Sequence, residues 1–105
     1  MSLSKASTKV LVAFLDEPTH DQYGFGLMRS TGVKSGTLYP ILERLERLGW
    51  IEGHDEVIDE RAERRPKRRL YRLTGLGERE ARRAVADFYR DLGRAPAWLP
   101  SFEAT

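Results

Sequence analysis

The sequence predicts a mainly α-helical fold with a small two-stranded antiparallel sheet, and three observations lead there. Leu38, Ile41, Leu42, Leu45 and Leu48 recur at spacings of three and four behind Ser35, with Gly49 as a stop, the pattern of one amphipathic helix. Two strand candidates, Trp50 to His54 and Arg69 to Leu73, flank a charged stretch from Asp55 to Arg68 and can pair across it. Ala81, Ala84, Val85, Phe88 and Leu92 form a second helical stripe that ends near Gly93.

In chain order, Leu3, Val10, Leu11, Phe14 and Leu15 fall on one side of a first helix, which Asp16-Glu17-Pro18 stops. A shorter second helix is expected to begin after His20 or Asp21, with Tyr23, Leu27 and Met28 facing inward. Its glycines, Gly24 and Gly26, each cost roughly 1 kcal/mol against alanine. Either the helix is frayed, or the absent side chains let a neighbouring backbone come close. Thr31 to Lys34 make a tight connection to the third helix. There Pro40 predicts a loosened first turn, with the amides of Gly36, Thr37 and Leu38 turned outward toward an anion; simple capping by Ser35 is the other reading. Arg44 and Arg47 complement the dipole near the helix end.

The loop from Asp55 to Arg68 lacks glycine and is expected to project and be mobile. Thr74 is the expected cap of the last helix, with Glu78 near its positive end. Pro96 and Pro100 bracket Trp98 in a tail that, with Phe102, cannot continue as regular helix.

A chain of 105 residues supports one domain with a modest core, for which a partner subunit would be a help. It contains no cysteine, which excludes a disulfide framework and thiolate metal sites. Val10 to Leu15, the longest apolar run, is too short to span a bilayer, so a soluble cytoplasmic protein with no membrane partner is expected. The net charge of +2 conceals an asymmetry: Asp55 to Glu60 holds four acids and no base, whereas Arg61 to Arg72 holds seven bases and the single acid Glu63. A local basic patch suits a polyanion.

The order helix, helix, helix, strand, charged loop, strand, helix is that of a winged helix-turn-helix, in which the third helix enters the major groove and the loop is the wing. Residues 1–73 then form a DNA-binding domain, 74–95 a C-terminal helix and 96–105 an irregular tail. The candidate contacts to double-stranded DNA are Lys34, Ser35, Gly36, Thr37, Tyr39 and Arg44 on the third helix, and Arg64, Arg65, Lys67 and Arg68 on the wing. The competing reading of the wing is a solvated charge run. His20 and His54 lack metal-ligand spacing, and no phosphate loop or nucleophile motif appears. No enzyme, catalytic residue, metal or cofactor is therefore expected.

Three stretches carry a resemblance to a known family. Tyr23-Gly24-Phe25-Gly26-Leu27, Gly36-Thr37-Leu38-Tyr39-Pro40 followed by Leu42, Leu45 and Gly49, and Arg65-Pro66-Lys67 with Tyr71-Arg72-Leu73-Thr74 and Gly77 resemble the PadR family of bacterial transcriptional regulators, over about Val10 to Leu92. Two positions depart from it: Gly26 stands where the family usually has glutamate, and the wing lacks the usual glycines before Arg65. The resemblance implies a homodimeric repressor on a pseudo-palindromic operator, with the last helix as the dimer element. Leu11, Phe14, Ala81, Val85, Phe88 and Leu92 are then candidates for the dimer interface or a ligand pocket. Phe88 matches the position where multidrug-sensing members sandwich a flat ligand, which implies a small aromatic effector; plain interface core is the alternative for that ring. A winged-helix protein-interaction module without specific DNA binding is the rival to the whole assignment.

Overall fold

The Ser4 hydroxyl accepts a hydrogen bond from the Ser7 amide at 3.0 Å and so starts the first helix, α1 (Lys5–Asp16). A computed structural model describes residues 3–93 of the chain. Val10, Leu11, Phe14 and Leu15 on α1 are buried, as the spacing predicts. Thr8 is buried among them without an orphaned hydroxyl, because its Oγ1 donates to the Ser4 carbonyl at 2.9 Å.

The second helix begins later than the sequence suggests. Gln22–Tyr23 is a two-residue strand, β1, and helix α2 (Gly24–Thr31) follows directly. Helix α3 (Ser35–Arg47) comes next, then strand β2 (Ile51–Asp55), a single helical turn α4 (Glu60–Glu63), strand β3 (Arg69–Leu73) and the long helix α5 (Gly75–Asp91). β1 pairs antiparallel with β3 through Gln22 opposite Tyr71 and Tyr23 opposite Leu70, so the sheet has three strands in the order β1-β3-β2 rather than two. Two residues are too few to show a period of two. What holds them is tertiary: the Gln22 side-chain Nε2 donates to the Ala13 carbonyl at 3.3 Å, and Arg72 Nε donates to Asp21 at 2.9 Å.

The glycines of α2 serve close approach, but to tyrosine rings rather than to backbone. A Cβ on Gly24 would strike the Tyr39 hydroxyl, and one on Gly26 would meet the Tyr23 ring at 3.0 Å. Both glycines lie in the first turn of a regular eight-residue helix, which Gly32 closes in the left-handed region at φ 75°.

Helix α3 departs from expectation at its start. Its N-cap is Lys34, not Ser35, with no side-chain capping bond. The amides of Thr37 and Leu38 both donate to the Lys34 carbonyl, at 3.0 and 2.8 Å, so the first turn is not loosened and those two amides are not turned toward an anion. Pro40 is tolerated because its missing N–H would have bonded the Gly36 carbonyl, and Gly36 is exposed to water. Leu48, expected on the apolar face, is instead the C-cap residue and is 40% exposed.

The last helix starts as predicted. Thr74 Oγ1 accepts from the Gly77 amide at 2.9 Å and donates to the Gly49 carbonyl at 2.6 Å, which ties the α5 start to the end of α3. Gly77 lies against the Trp50 carbonyl, where a Cβ has no room. One core joins Phe14 and Leu11 of α1, Leu27 of α2, Leu38 and Leu42 of α3, Ile51 and Leu73 of the sheet, and Ala81 and Val85 of α5. Leu11, Phe14, Ala81 and Val85 are each at most 1% exposed within a single chain, which removes them as contacts to a second chain. The stripe of α5 is covered by α1 at those positions. Pro96, Trp98, Pro100 and Phe102 lie outside the described residues.

Candidate nucleic-acid interface

Helix α3 is held by one face and presents the other. Leu38, Leu42 and Leu45 are buried, whereas Lys34, Ser35, Gly36, Thr37, Tyr39 and Arg44 are all exposed. Tyr39 is 49% exposed, yet its hydroxyl end rests against Gly24 at the start of α2. The ring therefore fixes α3 relative to α2 and leaves one edge open to a ligand. Burying three leucines contributes roughly 1.5–3 kcal/mol each, which keeps the polar face in one orientation.

The wing is ordered by its own charges. Asp59 caps α4, accepting from the amides of Arg61 and Ala62 at 3.0 and 3.3 Å. Arg64 then closes the turn in the left-handed region at φ 55°, doing without the glycine that such a position favours. Arg65 sets both guanidinium nitrogens on the Glu56 carboxylate, at 2.6 and 3.1 Å. The Glu56 amide donates to the Arg68 carbonyl at 2.8 Å and the Arg68 amide returns a bond to Glu56 Oε1 at 3.3 Å, so the β2-β3 ladder continues into the wing. The Arg68 guanidinium lies 4.2 Å from the centre of the Tyr23 ring, a cation–π contact. These bonds pack the base of the wing on the body, where its charge pattern predicts a projecting loop.

The basic run is consequently not all available to a polyanion. Arg65 is forked onto Glu56, Arg69 lies 3.5 Å from Asp55 and 3.6 Å from Glu46, and Arg72 pairs with Asp21. The hydrogen bond from Arg65 holds the Glu56 carboxyl below the usual glutamate range, with the Arg68 amide acting the same way. Arg64 and Lys67 are exposed and have no ion-pair partner among the described residues. Charge from the wing is thus concentrated at Arg61, Arg64 and Lys67, which lack an ion-pair partner among the described residues, with Arg68 presented on Tyr23.

Glu56 and Tyr23 hold Arg65 and Arg68 in place, and neither is among the site residues that the sequence singles out. The signal for Glu56 was present: in a hairpin whose first arm carries four acids and whose second carries the bases, cross-strand pairs must neutralise part of the basic run. Tyr23 offered no such signal, since its partner is 45 residues away. His20 pairs with Glu17 at 2.9 Å and His54 lies 3.6 Å from Asp21, both exposed surface roles. Among the described residues no group of three or more His, Asp or Glu side chains could hold a metal ion, and no helix is long and apolar enough to cross a membrane.

On α5, Phe88 is half-buried and meets Tyr89 edge-on at 5.3 Å, while Leu92 is 53% exposed. Of the six apolar residues considered for an interface, only these two retain surface for a second chain.

The fold and the exposed α3 face agree with a comparison to known families, in which residues 13–83 match the transcriptional regulator PadR-like family. The chain belongs to the PadR-like family. That is a family of transcriptional regulators, not of enzymes. The chain is 41% identical over 63 residues to the transcriptional regulator Rv3488 of Mycobacterium tuberculosis, spanning 57% of this chain and 54% of that protein, or about half its length. Among solved structures it is similar to a PadR-like transcription factor from Bacteroides fragilis, with 24% identity and a TM-score of 0.64 over 83% of this chain and 82% of the other. It is also similar to reduced AbfR bound to DNA, from Staphylococcus epidermidis, with 24% identity and a TM-score of 0.64 over 91% of this chain and 62% of that one. These likenesses establish for this PadR-like chain the winged-helix fold that its element order predicts.

Proposed function

We propose that this PadR-like chain is a sequence-specific, duplex-DNA-binding transcriptional regulator that acts as a homodimeric repressor in the cytoplasm. The carrying observation is the α3 surface: Lys34, Ser35, Thr37 and Tyr39 stand exposed at the leading end of a helix whose other face is locked by Leu38, Leu42 and Leu45. In helix-turn-helix docking the leading residues of the third helix meet base edges, while wing cations neutralise phosphates. Thr37 and Tyr39 supply the hydroxyls, and Lys34, Arg64, Lys67 and Arg68 supply the charge. The DNA-bound state of AbfR, a protein of the same fold, supports this docking.

Dimerisation rests on Phe88 and Leu92, the part of the α5 stripe that α1 does not cover. In such a dimer Phe88 is the place where a small aromatic effector would bind and loosen the grip on DNA. Selection from a random duplex pool tests the reading. The expected outcome is an inverted repeat whose halves lie about one helical turn, roughly 34 Å, apart. Recovery of no consensus would contradict sequence-specific binding.

A further inference from the structure

We infer a second phosphate-binding surface, separate from the wing: the groove between the start of α1 and the α2–α3 turn seats a backbone phosphate of the duplex beside the leading end of α3. This rests on the DNA-binding reading above. The groove is a solvent-open depression of about 360 Å³ lined by Lys5 and Lys9 of α1 and by Gly32, Val33, Lys34 and Thr37 of the turn and α3. Three lysines and a threonine line one open concave site with no carboxylate in its lining, and none of the three lysines has an ion-pair partner among the described residues.

The sequence accepts local cost to make this arrangement. Lys5 is the first residue of α1, at the positive end of the helix dipole, and the first turn holds no acid to offset it. Lys9 repeats the charge one turn later on the same face, where like charges repel. A local rule broken without compensation inside the chain points to a ligand that supplies the opposite charge. The chemistry that fits is a phosphate ester. Because Lys34 and Thr37 belong both to the groove and to the exposed α3 face, the phosphate is one on the strand that α3 approaches, not that of a free metabolite. α1 thereby becomes a clamp that sets how deep α3 sits in the major groove, a part the wing arginines cannot play.

Fluorescence anisotropy of the full chain with a labelled random duplex, over a salt series, compares the native protein with Lys5→Gln/Lys9→Gln and with Arg90→Gln, which removes a cation outside the groove. Both lysines are exposed, and thermal melting of the double variant should match the native chain. The expected result is a log–log salt slope shallower by about 0.9 per lost phosphate contact and an affinity at low salt at least about fivefold weaker on every sequence, with Arg90→Gln unchanged. An unchanged slope in the double variant, with the native chain binding normally, overturns the groove and leaves the DNA reading standing. Saturable shifts of the Thr37 amide with pyrophosphate, together with unchanged DNA binding of the variant, assign the groove to a free phosphorylated molecule and also overturn it. Failure of the native chain to bind any duplex removes the reading beneath both.

Discussion

Arg65 and Glu56 form a two-pronged pair across the base of the wing, at 2.6 and 3.1 Å, and this pair takes Arg65 out of the wing cations that lack an internal partner. A forked guanidinium–carboxylate contact is geometrically exact and charge-assisted. Arg65 is therefore a wing-shaping residue first, although it is one of the four wing cations that the sequence offers to phosphate.

The pair carries a pH dependence with a definite sign. Glu56 titrates below its ordinary range in the folded chain, so its contribution is present above the unfolded glutamate pKa of ~4.3 and is lost as the pH falls through the lower folded value. Glu56→Gln should lower Tm at neutral pH and speed exchange of the Arg68 amide, and the Tm gap to the native chain should close on acidification below pH ~4. A gap that widens on acidification would contradict the assignment. The same variant releases Arg65 and removes an acid, so its affinity for random duplex should rise.

Arg64 occupies a left-handed backbone conformation at φ 55° that costs a side-chain-bearing residue about 1–2 kcal/mol. Arg64→Gly relieves this at an entropic cost of about 0.5–1 kcal/mol, so stability by urea denaturation should be equal or up to about 1 kcal/mol higher, while duplex affinity falls. Arg64→Val, branched at Cβ, should lose more than about 1 kcal/mol. Equal stability of the two variants would count against a strained wing turn.

Gly77 admits no Cβ because the Trp50 carbonyl occupies the place. Backbone cannot swing away as a side-chain end can, so Gly77→Ala should cost about 1–3 kcal/mol in urea denaturation, the range for overpacking. Thr74→Ala should cost about 0.5–2 kcal/mol through the lost cap. Gly24→Ala, whose Cβ meets only the end of the half-exposed Tyr39 side chain, should cost less than Gly77→Ala.

Assembly separates two kinds of apolar residue on α5. Phe88→Asp and Leu92→Asp should leave a folded monomer in sedimentation and lose the inverted-repeat preference, because a single reader cannot span two half-sites. Val85→Asp, fully buried in its own chain, should unfold it instead. A folded dimer in both Phe88→Asp and Leu92→Asp would remove α5 as the dimer element.

Much of the fold was legible because its helices repeat over several turns: Leu38, Leu42 and Leu45 of α3, Val10, Leu11, Phe14 and Leu15 of α1, and the Thr74 cap all landed where their spacing put them, whereas Leu48 fell at the helix end and is exposed. β1 was not legible, since Gln22 and Tyr23 acquire strand geometry only from β3, nearly fifty residues on. The burial of Ala81 and Val85 was misread for a related reason: an apolar stripe says that it is covered, not by which chain. The family resemblance was carried by short runs that the structure shows to be steric couples, Gly24 with Tyr39 and Gly77 with Trp50. At the candidate site the exposed residues of α3 were visible as the polar remainder of an amphipathic helix. The division of the wing cations was not, because pairing depends on which acid a hairpin register sets opposite each base.

The most direct test of the central claim is a titration of the full chain against a random duplex at about 50 and 200 mM salt, followed by anisotropy. A docked reader making four or more phosphate contacts should bind in the micromolar range or tighter at the lower salt and weaken by roughly 100-fold at the higher. Absence of binding in that range, or binding indifferent to salt, would contradict it and return the fold to the class of protein-interaction modules.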